Sequence, residues 1–157
     1  MYSAVLLLHS WLRWAVLLLA VLVIVRAWSG LNAHKLWSTA DRLGMLFFTI
    51  AIDLQTLLGL VLYIGVSPVI ALAFQNLGPA MRNGAVRFFV VEHAIGMLVA
   101  VALAHVGSVK VRKAPDAHTK HRLALTFVAL ALVVIALSIP WPGMPAGRPL
   151  FRFSALQ

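Results

Sequence analysis

AVLLLHSWLRWAVLLLAVLVIVR, residues 4–26, decides how the rest of the chain is read. Only His9, Ser10, Arg13 and Arg26 interrupt the apolar and aromatic side chains, and a helix needs about 20 such residues to cross a bilayer. The stretch therefore predicts a transmembrane helix. Three more segments satisfy the same criterion: about 43–66, 87–109 and 122–140. With 62% hydrophobic and 11% charged residues and a mean hydropathy of +0.97, the 157-residue chain is too apolar for a soluble domain of its size. The expected fold is all-α, a single integral membrane domain built as a four-helix bundle. The first segment does not read as a signal peptide. It lacks a basic leading region, its apolar run is too long, and no small-residue cleavage site follows.

A formal charge of +9 raises nucleic acid as a partner, and the placement of the 13 basic residues argues against it. Arg26, Lys35, Arg42, Lys110, Arg112, Lys113, Lys120 and Arg122 fall in or beside the connections from helix one to two and from three to four. Arg82, Arg87, Arg148 and Arg152 flank the opposite side, and Arg13 lies within a span. The positive-inside rule puts the richer connections in the cytoplasm and both termini outside. Trp28 and Trp37 then mark the inner interface, and Trp11, Trp14 and Trp141 the outer one. The basic run 109–122 is expected to be a solvated loop, and membrane lipid, not nucleic acid, its natural counterpart. The expected location is the bacterial cytoplasmic membrane, crossed several times.

Two further stretches lie outside the spans. Residues 66–85 are apolar but broken by Ser-Pro, Gly-Pro and Asn-Gly, which suits a short interfacial helix or a packed outer loop. The tail 141–157 cannot prolong helix four. Prolines at 140, 142, 145 and 149 remove donors and clash with the preceding turn, so it is expected along the outer surface.

The costly polar residues inside the spans are the candidates for function. Helices one and three both run inward, and His9 and His93 fall at nearly the same depth. Two imidazoles on two helices at one level can ligate one iron from opposite faces, as a b-type haem requires. Arg13, one turn beyond His9, and Arg87, near the mouth, are candidates to pair with the haem propionates. Small residues follow His93 on its side (Ala100, Ala104, Gly107) and permit close approach of a flat ring or of another helix. An alternative is a protein-only ion pair of Arg13 with Asp53 or Glu92. His9 and His93 are equally open to hydrogen-bonded packing, or to ligation of another tetrapyrrole such as a chlorophyll.

Other chemistries find less support. The absence of cysteine excludes disulfides, iron–sulfur clusters, thiolate zinc and covalent c-type haem. His105 lies about 120° around helix three from His93 and cannot serve the same metal. With His121 it could form a second, inner site. His34 and His118 read as loop residues. No HExxH motif is present, and four acids are too few for a di-iron carboxylate centre. Thr49, Asp53, Thr56 and Leu60 share one face of helix two, which could contact quinone, carry protons or hold helix one through Arg13; Gln55 and Gly59 lie well round from it. Helix four offers only Thr126 and Ser138, and packing is its expected role.

HSWLRW near the start, DLQTLLGLVLY in helix two, RFFVVEHAIGML opening helix three, the basic loop and IPWP closing helix four together resemble a group of small four-helix bacterial membrane proteins, common in Bacteroidota and labelled cytochrome b-like. The resemblance covers most of the chain. It implies a haem-binding helix bundle with His9 and His93 as the matching ligands. Some members carry His where this chain has Asp53, which bears on any ligand role of helix two.

Two functions are therefore expected from different classes. One is an electron-transfer protein holding a single b-type haem near the outer face, exchanging electrons with a quinone or a redox partner and transforming no substrate itself. The other is a cofactor-free accessory subunit packed in a larger respiratory or photosynthetic complex, or as a homo-oligomer. No nucleophile and base stand at usable spacing for a membrane enzyme, and four helices without a repeat leave little room for alternating access.

Overall fold

The computed structural model describes residues 1–151 and 153. Arg152 and residues 154–157 of the tail lie outside the described residues. Seven α-helices follow one another among those described: α1 Tyr2–Asn32, α2 Thr39–Leu60, α3 Pro68–Gln75, α4 Leu77–Arg82, α5 Gly84–Arg87, α6 His93–Lys113 and α7 Ala117–Ser138. A π-helical turn, Val61–Val66, prolongs α2, and a second, Phe88–Glu92, leads into α6. Four of the resulting rods are long and apolar enough to cross a membrane: Tyr2–Asn32, Thr39–Val66, Gly84–Lys113 and Ala117–Ser138.

All four spans exceed or shift from the apolar segments that predict them, for local reasons. α2 starts at Thr39 because Ser38 and Asp41 form a capping box. The Ser38 hydroxyl accepts from the Asp41 N–H, and Asp41 Oδ2 accepts from the Ser38 N–H at 2.8 Å. Arg26 of α1 donates to Asp41 Oδ1 at 2.8 Å and fastens that cap to its neighbour. α7 starts at Ala117, inside the run expected as a loop, because Asp116 caps it through the Thr119 N–H and hydroxyl. Polar ends thus continue helices that hydropathy alone would stop. The broken segment 66–85 folds into α3, α4 and the start of α5.

α1 packs against α2 and α7, and α6 against the same two, so α1 and α6 face each other across the diagonal of a four-helix square. Small side chains hold the spans together. Val16, Ala20, Val23, Ala27 and Gly30 bury one stripe of α1, and Ala100, Ala104, Gly107 and Val111 one stripe of α6. A Cβ on Gly107 would run into Phe127 of α7, and one on Gly96 into Ser138. The small residues after His93 therefore receive helix α7, not a ring. This is close packing of the kind that joins helices when lipid supplies no hydrophobic drive between them. Outward-facing Leu8, Leu18, Val25, Leu72 and Leu137 are more than half exposed, so the bundle presents an apolar outer surface.

The bundle has two unlike ends. One carries the first turns of α1, the short helices α3–α5 and the tail. The other carries the α1–α2 and α6–α7 connections. We call these the terminal end and the loop end.

Candidate functional site

A cavity of about 470 Å³ opens at the terminal end between α1, α2 and α6. Such a volume lies within the roughly 300–1,000 Å³ of ligand pockets in general. His9, Arg13, Gln55, Gly59, Tyr63, His93 and Arg148 are among the residues lining it, in a wall that is otherwise mostly apolar. Both π-helical turns border it. The Tyr63 hydroxyl, from the first, donates to the Val90 carbonyl of the second at 2.8 Å and closes that side.

The two histidines meet across the diagonal, ring centroids 6.3 Å apart and ring planes at 72°. His93 Nδ1 lies 2.7 Å from the backbone carbonyl of Ser138. A carbonyl only accepts, so Nδ1 carries the proton, and the neutral ring offers its Nε2 lone pair. That carbonyl is free because of the IPWP ending: Ile139 is held extended ahead of Pro140, so the chain leaves the helix and no later N–H stands over the last carbonyls. Ala136, another carbonyl of that last turn, accepts from the indole of Trp141 at 2.7 Å. The prolines thus end α7 and also release the acceptor that orients His93. Ordering of one ring nitrogen by a backbone carbonyl is the outer-shell arrangement that fixes metal-ligating histidines.

His9 is held from α2. The Gln55 side-chain nitrogen donates to the His9 carbonyl at 3.0 Å, which fixes the amide's orientation, and it lies 3.3 Å from His9 Nε2. Gly59, one turn further, lets the ring lie close to the α2 backbone; a Cβ there would stand 3.3 Å from His9 Cε1. Three buried polar atoms bordering the cavity have no hydrogen-bond partner: His9 Nδ1, Arg13 Nε and Gln55 Oε1. In apolar surroundings such atoms are costly, and their concentration around one cavity makes it the candidate site.

The other predicted site residues are placed as follows. Arg13 lines the cavity and donates to the Leu150 carbonyl of the tail at 2.6 Å; it pairs with neither Asp53 nor Glu92. Asp53 faces α6 and bonds His105 Nε2 at 2.7 Å, because its side of α2 points away from α1. Glu92, in the π-helical turn, projects outward and pairs with Arg87 at 2.8 Å. The expected ion pair of Arg13 with these acids is therefore replaced by two others. Arg87, half exposed beside Glu92, is absent from the cavity wall, and Arg148 of the tail stands there instead, its guanidinium 5.2 Å from the Phe89 ring centre. The tail does lie across the terminal end. Trp14 Nε1 donates to the Leu150 carbonyl at 3.2 Å, and Phe151 stacks on the Trp14 ring.

His105 and His121 do not come together. His105 is on the outside of the bundle, whereas His121 is buried at the loop end against Gly30 and Trp37, both ring nitrogens without a partner. Among the described residues no three His, Cys, Asp or Glu side chains gather as a metal site. Two protein nitrogens suffice only for a metal that brings its own equatorial ligands.

Gln55, Gly59 and Arg148 escape the sequence reading. A buried amide and a glycine four residues apart on one helix face were the available signal for the first two; the position of Arg148 depends on a chain reversal after Pro140. Searches of family models, of curated proteins and of solved structures find no match to this chain.

Proposed function

We propose that this chain is a membrane-embedded b-type haem protein that takes part in electron transfer, with His9 and His93 as the axial ligands. The observation that carries the reading is the 6.3 Å separation of two imidazoles on the wall of a 470 Å³ cavity. Two imidazoles that stand this close on one cavity wall could both be reached by a metal carried in that cavity. The resemblance to the cytochrome b-like group supports the same pair.

The residues fit the group in three further respects. His93 is pre-oriented by the Ser138 carbonyl, so little ordering remains when it binds. Arg13 and Arg148 supply two cationic side chains on the cavity wall for two propionates. The apolar wall limits water, which with the nearby charge tunes the potential. A bound haem would supply reversible one-electron chemistry; the protein supplies ligation, orientation and burial. Another tetrapyrrole would meet the same ligands. With the positive-inside rule the loop end faces the cytoplasm of a bacterial inner membrane, and the site lies near the outer face, where a quinone or a redox protein is the electron partner.

A second reading has its own support: Gln55 engages His9 Nε2 and Ser138 engages His93, so both rings already have protein partners. On that reading the chain is a cofactor-free accessory subunit of a larger membrane complex. Absorption spectra of detergent-purified protein, expressed with ample haem and measured oxidised and dithionite-reduced with pigment extraction, separate the two. A sharp reduced α-band of low-spin b haem is expected. A colourless protein would sink the haem reading and direct attention to co-purifying subunits.

A further inference from the structure

The bundle carries one polar pair on its outside, in the middle of a rod. Asp53 Oδ1 accepts from His105 Nε2 at 2.7 Å, with side chains 41% and 50% exposed. Asp53 stands about 21 Å from the start of its rod and His105 about 12 Å from the end of its own, so in a bilayer the pair lies in the hydrocarbon on the loop-end side. Ionisable residues at that depth ordinarily turn into a bundle or a wet cavity. Here they bridge the seam between α2 and α6, the least extensively packed of the four. Both flanks of that seam are apolar and exposed at the 3–4 spacing of a helix-packing stripe: Leu46, Ile50 and Leu57 on α2, Leu98, Ala102 and Val109 on α6. Asp53 and His105 occupy the central positions of those two stripes.

We propose that the α2–α6 seam is the contact surface between two copies of this chain, related by a two-fold axis along the membrane normal. The pair itself points to this occupant. The bond within each copy uses Asp53 Oδ1 and His105 Nε2, so Oδ2 and Nδ1 remain to serve a further partner, and a two-fold axis along the normal brings groups of equal depth together. Asp53 of one copy then meets His105 of the other, and four half-exposed polar groups cover one another inside an apolar border. A single polar position in an apolar stripe is also the device that sets register between helices. The inference rests on the membrane reading above and is independent of haem.

The chain has no cysteine, so single cysteines report cleanly on the contact. Full-length Leu57→Cys and Leu18→Cys proteins are reconstituted in phospholipid vesicles and oxidised; Leu57 lies on the stripe, and Leu18, 69% exposed on α1, lies off it. Leu57→Cys protein is mixed with Ala102→Cys protein, which the axis places opposite it at one depth; disulfide-linked dimer is expected from that mixture and little when Leu18→Cys replaces Leu57→Cys. Adding Asp53→Leu with His105→Leu lowers the dimer yield about tenfold, the effect of losing interhelical hydrogen bonds worth a kilocalorie or two. Asp53→Asn, which keeps size and polarity, lowers it less and guards against misfolding of the double variant. Equal crosslinking in both mixtures, or none between Leu57→Cys and Ala102→Cys, overturns the proposal. So does crosslinking of Leu57→Cys in native membranes to another protein and not to a second copy carrying Ala102→Cys. Release of the chain from membranes by alkaline carbonate would overturn the membrane reading as well, and is scored separately.

Discussion

The two ends of this bundle bury histidine in opposite ways. At the loop end His121 is 1% exposed, wedged on Gly30 with Trp37 beside it at 4.9 Å between ring centres, and the void next to Trp37 is about 10 Å³. At the terminal end His9 and His93 border about 470 Å³, together with the unpartnered Nε of Arg13 and Oε1 of Gln55. His121 is sealed from solvent, whereas His9 and His93 are part-buried beside open space. Burial of a polar ring therefore says little about function until the space around it is known. A sealed histidine packs; a pair across a cavity is a candidate site.

That contrast can be broken first at the ligands. His9→Ala or His93→Ala should abolish the low-spin haem spectrum with membrane insertion intact, whereas His121→Leu, similar in volume and losing no hydrogen bond, should leave it unchanged. Haem retained in either of the first two, or lost in the third, would erase the distinction between the ends.

The glycines test the same difference in packing. Gly30→Ala drives a methyl into the His121 ring, and a sealed end cannot yield, so a loss of about 1–3 kcal/mol is expected in a detergent thermal or denaturant melt. Gly59→Ala meets His9 at 3.3 Å beside open space, so the ring can give. Its expected signature is a shifted haem spectrum with little change in the melt.

Smaller effects come from the helix ends. Pro140→Ala together with Pro142→Ala lets α7 run on past Ser138, so that an N–H at 142 competes with His93 for the Ser138 carbonyl; we expect a few-fold weaker haem binding by titration of the apoprotein, and a shifted midpoint potential. Pro142→Ala alone, which leaves Ile139 extended ahead of Pro140, is the matched control and should change both little. Last is the loop-end cap. The Thr119 N–H and hydroxyl hold the Asp116 carboxyl below its ordinary value of 3.8. Its contribution is thus complete above the unfolded value and fades as pH falls through the lower folded one. Asp116→Ala should produce a slight loss of stability at neutral pH, shrinking to nothing in acid below that window, as read by melts across pH.

Much of this arrangement is legible in the chain before it folds. Hydropathy locates four rods, and counting residues inward from two helix starts puts His9 and His93 at one level. The helix ends were legible too, in Ser38–Asp41 and Asp116, but as capping chemistry and not as hydropathy. What stays hidden depends on tertiary phase. Asp53 pairs with His105 and not with Arg13 because the bundle sets which neighbour its face meets. Arg148 takes the place expected of Arg87 because the tail doubles back after Pro140, with the Arg148 N–H on the Pro140 carbonyl at 3.0 Å. Ser138 acts through a backbone carbonyl, a group every residue shares, so no side-chain pattern announces it.

The two π-helical turns carry a consequence for how the chain tolerates length changes. A π-helical turn holds one residue more than the α-helical turn it replaces, and the extra residue shifts everything on one side of it by about 100° around the axis relative to the other. Phe88–Glu92 stands between the short helices and His93, so deleting one residue within it would keep α6 whole and swing α3–α5 to a new bearing. Tyr63, within Val61–Val66, would then lose its acceptor on Val90. Each turn is thus a phase adjuster: it lets the cap over the cavity and the rod beneath it each keep the rotation they need. An insertion or deletion there should be read as a rotation of the cap, not as a change in the length of a span.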